Sequence, residues 1–180
     1  MGNTYWLIAT TYENFQVTRD RGFSVQGVDT RNRRKAVRMA AGDRIVYYIS
    51  DRHAFAATVT LTSGHFEDHE PIWKHHSQSE DFPHRVRTRA DVVTDEGSWV
   101  DGMQIGPRLE YVSKWPPEMW PLALVGSLHI IPQKDFSMLE EELKKAASGE
   151  TERRRGRGRR DRRGRRGREA PRRVAPASAD

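Results

Sequence analysis

Residues 42–61, GDRIVYYISDRHAFAATVTL, decide the fold of this chain. Residues 45–50 are rich in β-branched and aromatic side chains, the composition of a buried strand. After the polar break Asp51-Arg52-His53, residues 55–61 form a second such run, with Val59 and Leu61 two apart. Two β runs joined by so short a connection predict an antiparallel hairpin. Gly42-Asp43 closes a helical pattern just ahead of it, so helix, tight turn and hairpin are read in that order.

Upstream, residues 5–10 predict a first buried strand. Thr10-Thr11-Tyr12-Glu13 has the Ser/Thr-x-x-Glu form of a capping box, predicting a short helix from Thr11 to near Gly22. Residues 23–27 read as extended. Residues 30–41 read as a second helix, with Ala36, Val37, Ala40 and Ala41 inward and Arg33, Arg34 and Arg38 in solvent. Downstream, residues 63–83 are a polar loop. Residues 84–93 return to strand, with Val86, Thr88, Ala90 and Val92 on one face and Arg85, Arg87, Arg89 and Asp91 on the other.

Asp95-Glu96-Gly97 is a turn, and residues 98–103 hold a short strand. Gly106-Pro107 and Trp115-Pro116-Pro117 punctuate an irregular segment. Residues 127–131 are the last strand, stopped by Pro132. A terminal helix over 135–147 docks through Phe136, Leu139 and Leu143. Strands interleaved with short helices around an antiparallel centre make an α+β domain, a small curved mixed sheet or barrel flanked by short helices.

Charge divides the chain. Residues 153–180 hold 13 Arg against Asp161, Glu169 and Asp180, a net of +10; with +6 overall, residues 1–152 carry −4. The folded domain is therefore set at 1–147. A tail over 148–180 has too little apolar surface to fold and is expected to be disordered. Its Arg-Gly alternation, which includes Arg153, Arg154 and Arg155, combines a flexible backbone with guanidinium groups that fork onto phosphate or stack on bases. A polyanion, nucleic acid before an acidic protein, is the partner this composition favours.

Cysteine is absent, which excludes disulfides, thiolate chemistry and any cysteine zinc site. The start, MGNTYWLIATTYEN, lacks the basic region and long apolar core of a signal peptide, and no apolar stretch approaches the ~20 residues of a membrane span. A cytoplasmic protein with no membrane partner is expected; the oligomeric state is left open. His65 and His69 are four apart with His75, His76 and His84 nearby, but Pro71 argues against a helix there and HExxH is missing. The histidines are accordingly read as surface residues, with no metal and no cofactor. No nucleophile elbow, Walker loop or GxGxxG follows a strand, so no catalytic residues are assigned.

Aromatic residues are the stronger lead. Trp6, Tyr12, Phe23, Tyr47, Tyr48, Trp73, Phe82 and Trp99 lie in or beside the extended segments. Core packing explains Trp6 and Tyr47, whereas Trp73 sits in the polar loop sequence HEPIWKHH, where a pocket wall and a folded-back anchor are equally open readings.

The ordered set of segments resembles the EVE domain, a PUA-like group related to YTH domains. It comprises Tyr5-Trp6-Leu7, a basic helix running into Gly42-Asp43, the strand Ile45-Val46-Tyr47-Tyr48-Ile49-Ser50 with its partner, and a late LHII strand followed by Pro132 and Phe136. The resemblance covers roughly residues 4–145. It implies a small curved sheet or barrel that binds nucleic acid by taking a modified base, in DNA or RNA, into an aromatic pocket. On this resemblance Thr11, Tyr12 and Asn14 look like the base-edge segment, Phe23-Ser24 like a pocket wall with Val25 beside it, and Trp73 like the second wall; Tyr48 is placed in the same pocket. Arg31, Arg33, Arg34 and Arg38, with Arg85, Arg87 and Arg89, are expected to hold the nucleic-acid backbone. The alternatives are a PUA-like ribonuclease and a plain RNA-binding accessory protein without base selectivity.

Overall fold

The computed structural model describes residues 2–75 and 81–149. The tail expected over 148–180 lies outside these residues from 150 onward, as does His76. In chain order the elements are β1 (Tyr5–Thr10), α1 (Tyr12–Asp20), β2 (Val25–Val28), α2 (Arg33–Ala36), β3 (Arg44–Ile49), β4 (Ala54–Leu61), β5 (Phe66–Glu67), β6 (His84–Val93), β7 (Val100–Asp101), α3 (Gly102–Ile105), β8 (Leu128–Ile130) and α4 (Gln133–Ala147), with short 3₁₀ turns between several of them.

The hairpin forms the centre. β3 and β4 pair antiparallel from Arg44↔Thr60 to Ile49↔Ala54, with a bulge between Tyr47 and Tyr48. The sheet order is β2-β6-β4-β3-β1-β8, with β5 added to β6 and β7 to β4. β1 runs parallel to β3, and every other pairing is antiparallel. The result is the curled mixed sheet with several short helices that the strand pattern predicts.

Period-two alternation sorts the central strands between two cores. Trp6, Ile8, Ile45, Tyr47 and Ile49 face one cluster with Phe15 of α1, Phe23 and Met39. Leu7, Val46, Tyr48 and Phe55 face the other, closed by Trp120, Leu124 and the Phe136, Leu139 and Leu143 stripe of α4. A register slip of one residue would exchange these two sets, so the pairing is fixed by burial on both sides.

Several local expectations shift. The first helix is capped by Thr11, whose side chain accepts from the Asn14 N–H, one residue later than the capping box implies. The helix expected over 30–41 is a single 3₁₀ turn (Thr30–Asn32) followed by the four residues of α2. Only Ala36 of its expected inner face is buried; Val37, Ala40 and Ala41 are exposed, and Met39 enters the core instead. The cause lies at Asp43, whose buried carboxylate accepts the Ala40 N–H, the Thr4 N–H and the Trp6 indole N–H at 2.8–3.1 Å. Gly42 (φ 94°) turns the chain there rather than ending a helix. The strand expected over 98–103 is only β7. In β6 the alternation holds at Val86, Arg87, Thr88 and Arg89, but Ala90 is exposed and Arg85 is buried.

Candidate nucleic-acid interface

Three separate segments converge on α1. The first follows its C-terminus, where Gly22 (φ 65°) and Phe23 (φ 54°) are both left-handed and the Phe23 N–H donates to the Thr18 carbonyl at 3.0 Å. A bulky residue in that region is strained and persists only where its surroundings fix it. Here burial does so. Phe23 is 3% exposed, packs edge-on against Phe15 and tilted against Tyr47, and its carbonyl accepts from Thr88 Oγ1.

The second segment is the loop carrying Trp73. Asn14 Nδ2 donates to the Lys74 carbonyl at 2.7 Å and Asn14 Oδ1 accepts the Lys74 N–H at 2.8 Å. The Trp73 indole N–H donates to Thr18 Oγ1 at 2.8 Å. Lys74 Nζ meets Glu13 at 2.5 Å, and that carboxylate raises the Lys74 pKa above its ordinary value. Trp73 is buried over Gly27, where an added Cβ would stand 2.4 Å from the ring. Phe82, also left-handed at φ 52°, packs edge-on against it at 6.1 Å.

Arg85 explains the burial of that strand face. Its guanidinium pairs with Asp68 at 3.0 Å, donates to the carbonyls of Glu70, Phe82 and Asp81, and lies 5.4 Å from the Trp73 ring. It ties together both ends of the loop. The Glu70 N–H, and then Arg85, hold the Asp68 carboxyl below its ordinary range.

The third segment brings Trp99 across α1. Tyr12, Trp99, Phe15, Phe23 and Tyr47 form a continuous ring array with successive centroids 5.7–6.0 Å apart. It runs from the half-buried Tyr12 and Trp99 into the core. The Arg52 guanidinium lies 4.6 Å from the Tyr12 ring, and Tyr12 Oη donates to Glu96 at 3.0 Å. Trp99 Nε1 is buried without a hydrogen-bond partner.

Among the expected pocket residues, Tyr12, Asn14, Phe23 and Trp73 are gathered around α1. Thr11 is spent on the helix cap, Ser24 is exposed with its hydroxyl on the Arg21 carbonyl, and Val25 is half-buried beside Phe23. Tyr48 is a correction: strand alternation sends it to the opposite core, against Phe55 and Trp120, with its hydroxyl 3.0 Å from His53 Nδ1. Burial pushes its pKa up to about 12. Its neighbour Tyr47 instead faces α1, packed on Phe15, with its hydroxyl donating to Gln26 Oε1 and its pKa also raised by burial. Arg85 is likewise turned inward. Arg31, Arg33, Arg34, Arg38, Arg87 and Arg89 are exposed, whereas Arg153, Arg154 and Arg155 lie outside the described residues. Phe15, Thr18 and Gly27 join this cluster without any mark in the sequence, and Trp99 is marked there only as one of the aromatic group.

The curled mixed sheet with its short helices is a fold shared with YTH domains. The YTH domain of the Zygosaccharomyces rouxii MRB1 protein, in complex with N6-methyladenosine RNA, matches with a TM-score of 0.57 at 15% identity, over 79% of this chain and 87% of that one. The Pho92 YTH domain in complex with m6A matches with a TM-score of 0.57 at 12% identity, over 79% and 84%. Identity this low speaks for the fold alone. In sequence, a UPF0310 protein of Pyrococcus abyssi is 24% identical over 146 residues, 76% of this chain and 97% of that protein. The EVE domain family model matches residues 4–100, and the chain belongs to the EVE domain family.

Among the described residues, no helix is long and apolar enough to cross a membrane.

Proposed function

We propose that this chain is a non-enzymatic reader of a modified nucleobase, with domain 1–147 supplying base selectivity and the Arg/Gly tail 148–180 adding nonspecific affinity. The observation that carries the reading is the convergence of Phe23 and Trp73 on the helix that holds Tyr12 and Asn14, four residues that the family resemblance assigns to a base pocket. The likeness to YTH domains solved with N6-methyladenosine RNA supports the same class of partner. Stacking on an aromatic face contributes about 1–3 kcal/mol per base. Exposed Arg31, Arg33, Arg34, Arg38, Arg87 and Arg89 would grip the phosphates on either side.

The test is intrinsic tryptophan fluorescence of the full chain, titrated with modified nucleosides and their unmodified parents. Quenching by one modified nucleoside and not by its parent is expected, and Trp73→Ala should abolish that discrimination while oligonucleotide binding through the tail survives. A chain ending at residue 149 should bind every oligonucleotide more weakly with a flatter salt slope, since each lost phosphate contact removes about 0.9 from that slope on duplex DNA. Its base preference should be unchanged. A flat response across the panel would leave a plain accessory RNA binder, and cleavage of labelled RNA would turn the reading to a ribonuclease.

A further inference from the structure

His65, Glu67 and His84 stand together at the root of the Trp73 loop. His65 Nε2 and His84 Nδ1 are 3.0 Å apart, and the Glu67 carboxylate is 3.7 Å from the same His84 nitrogen. All three potential ligand atoms lie within 4.8 Å of one another. Strand geometry builds the cluster. His65 and Glu67 are two apart on extended chain, which projects them to one side, and Glu67 sits directly opposite His84 in the β5–β6 pair. The helical spacing of His65 and His69 is irrelevant here, because His69 turns to Asp81 at 2.7 Å.

We propose that His65, Glu67 and His84 form a binding site for a divalent transition-metal ion, with zinc the best match to the donors. Two imidazoles and one carboxylate, leaving a position for water, are a donor set that suits zinc. Two nitrogens bound to a tetrahedral zinc ion at about 2.0–2.1 Å stand about 3.3 Å apart. The observed 3.0 Å separation needs to open by only a few tenths of an ångström. Both His65 Nε2 and the Glu67 carboxylate face His84 Nδ1, at 3.0 and 3.7 Å. A cation between the three accounts for both approaches.

The position gives the ion a task. The chain leaves the sheet after Glu67 and re-enters it at His84, so one ion would close both ends of the connection that carries Trp73. It would act beside Arg85, which ties the same ends through Asp68, Glu70, Asp81 and Phe82. Glu67 is exposed and His65 half-buried, which opens the site to solvent, while His84 is buried at 4% exposure and anchors it. This inference is independent of the base-reading proposal.

The experiment uses the untagged full chain, stripped with EDTA, dialysed and titrated with Zn²⁺ by calorimetry and with Co²⁺ by visible absorption. One saturable ion per chain and a low-coordinate Co²⁺ spectrum are expected, with slower hydrogen exchange over residues 68–75 and 81–83 when Zn²⁺ is bound. Glu67→Gln and His65→Ala should each weaken binding by about 10-fold or more, the least that even loss of an outer hydrogen-bond partner costs a metal site. His69→Ala should leave binding unchanged. Because His84 is buried and His84→Ala risks the fold, the two solvent-side variants carry the test, with circular dichroism confirming that they fold. No saturable binding, binding that survives both substitutions, or an equal loss in His69→Ala would overturn the proposal.

Discussion

Asn14 and Lys74, 60 positions apart, exchange two hydrogen bonds, the Asn14 amide donating to the Lys74 carbonyl and accepting its N–H. A side-chain amide matches a peptide group in both directions, so one residue of α1 fixes the height and orientation of the loop at the point where Trp73 enters the structure. Thr18, one turn further along the same helix, receives the Trp73 indole N–H and donates to the Asn14 carbonyl.

Asn14→Ala removes both bonds and leaves the Lys74 peptide groups without these partners. A loss of about 0.5–1.5 kcal/mol per bond is expected, the net worth of a hydrogen bond whose freed partner can reach water, read by urea unfolding. Hydrogen exchange should speed up over residues 70–75 and leave β3 and β4 protected. Equal deprotection of the central strands would mean that Asn14 supports the whole core and not this loop.

Gly27→Ala would place a methyl group 2.4 Å and 2.8 Å from two Trp73 ring atoms and 2.9 Å from Phe82 Cβ. Neither neighbour is the end of a flexible chain, so Trp73 must move. Overpacking of this kind costs about 1–3 kcal/mol. A shifted tryptophan emission maximum and a lower unfolding midpoint should appear together. The double variant Gly27→Ala/Trp73→Leu should recover part of the loss relative to additivity, since the clash is with the indole; strict additivity would place the strain elsewhere.

His129 provides a pH signature. Its Nδ1 is 3.0 Å from the Tyr111 hydroxyl and its Nε2 is 3.1 Å from the Gly126 carbonyl, a pattern that suits the neutral ring protonated on Nε2. Burial, with nearby Lys35, lowers its pKa below 6.5 against the opposing pull of the Gly126 and Leu124 carbonyls. The unfolded chain therefore binds this proton more readily than the folded one. Stability should fall as pH drops through about 6.5 and level off below the folded pKa. Thermal unfolding between pH 8 and 5 should show this slope in the natural chain and less of it in His129→Gln; identical slopes would exclude His129 as the source.

The parts of the fold legible in the sequence are those whose signal is local. Residues 5–10 and 45–50 are unbroken apolar, β-forming runs of six residues, and Phe136, Leu139 and Leu143 mark one face of α4 within about two turns. Residues 30–41 carry an equally helical composition, yet the Asp43 carboxylate takes the Ala40 N–H and the chain leaves the helix after Ala36. At the candidate site, Trp73 stands out in the sequence as an aromatic in a polar loop, whereas Tyr12 and Phe23 are marked as site residues only by the family resemblance. Nothing local distinguished Tyr47 from Tyr48. Both lie in one strand, and only the packing of Phe15 and Phe23 against one face, and of Trp120 against the other, assigns them.

The sequence by itself determined the central hairpin, the α+β class, the family and the charge difference between residues 1–152 and 153–180, because turn chemistry and composition are properties of contiguous segments. Tertiary structure alone decided that Arg85 is a buried hub, that Trp73 rests on Gly27 with its indole on Thr18, and that His65 meets His84 and Glu67 instead of His69. Each of these contacts is made by closing the chain over the loop between β5 and β6 or onto α1. The identity of the partners is set by which backbone segments the sheet brings within hydrogen-bonding distance, and residue spacing does not encode that.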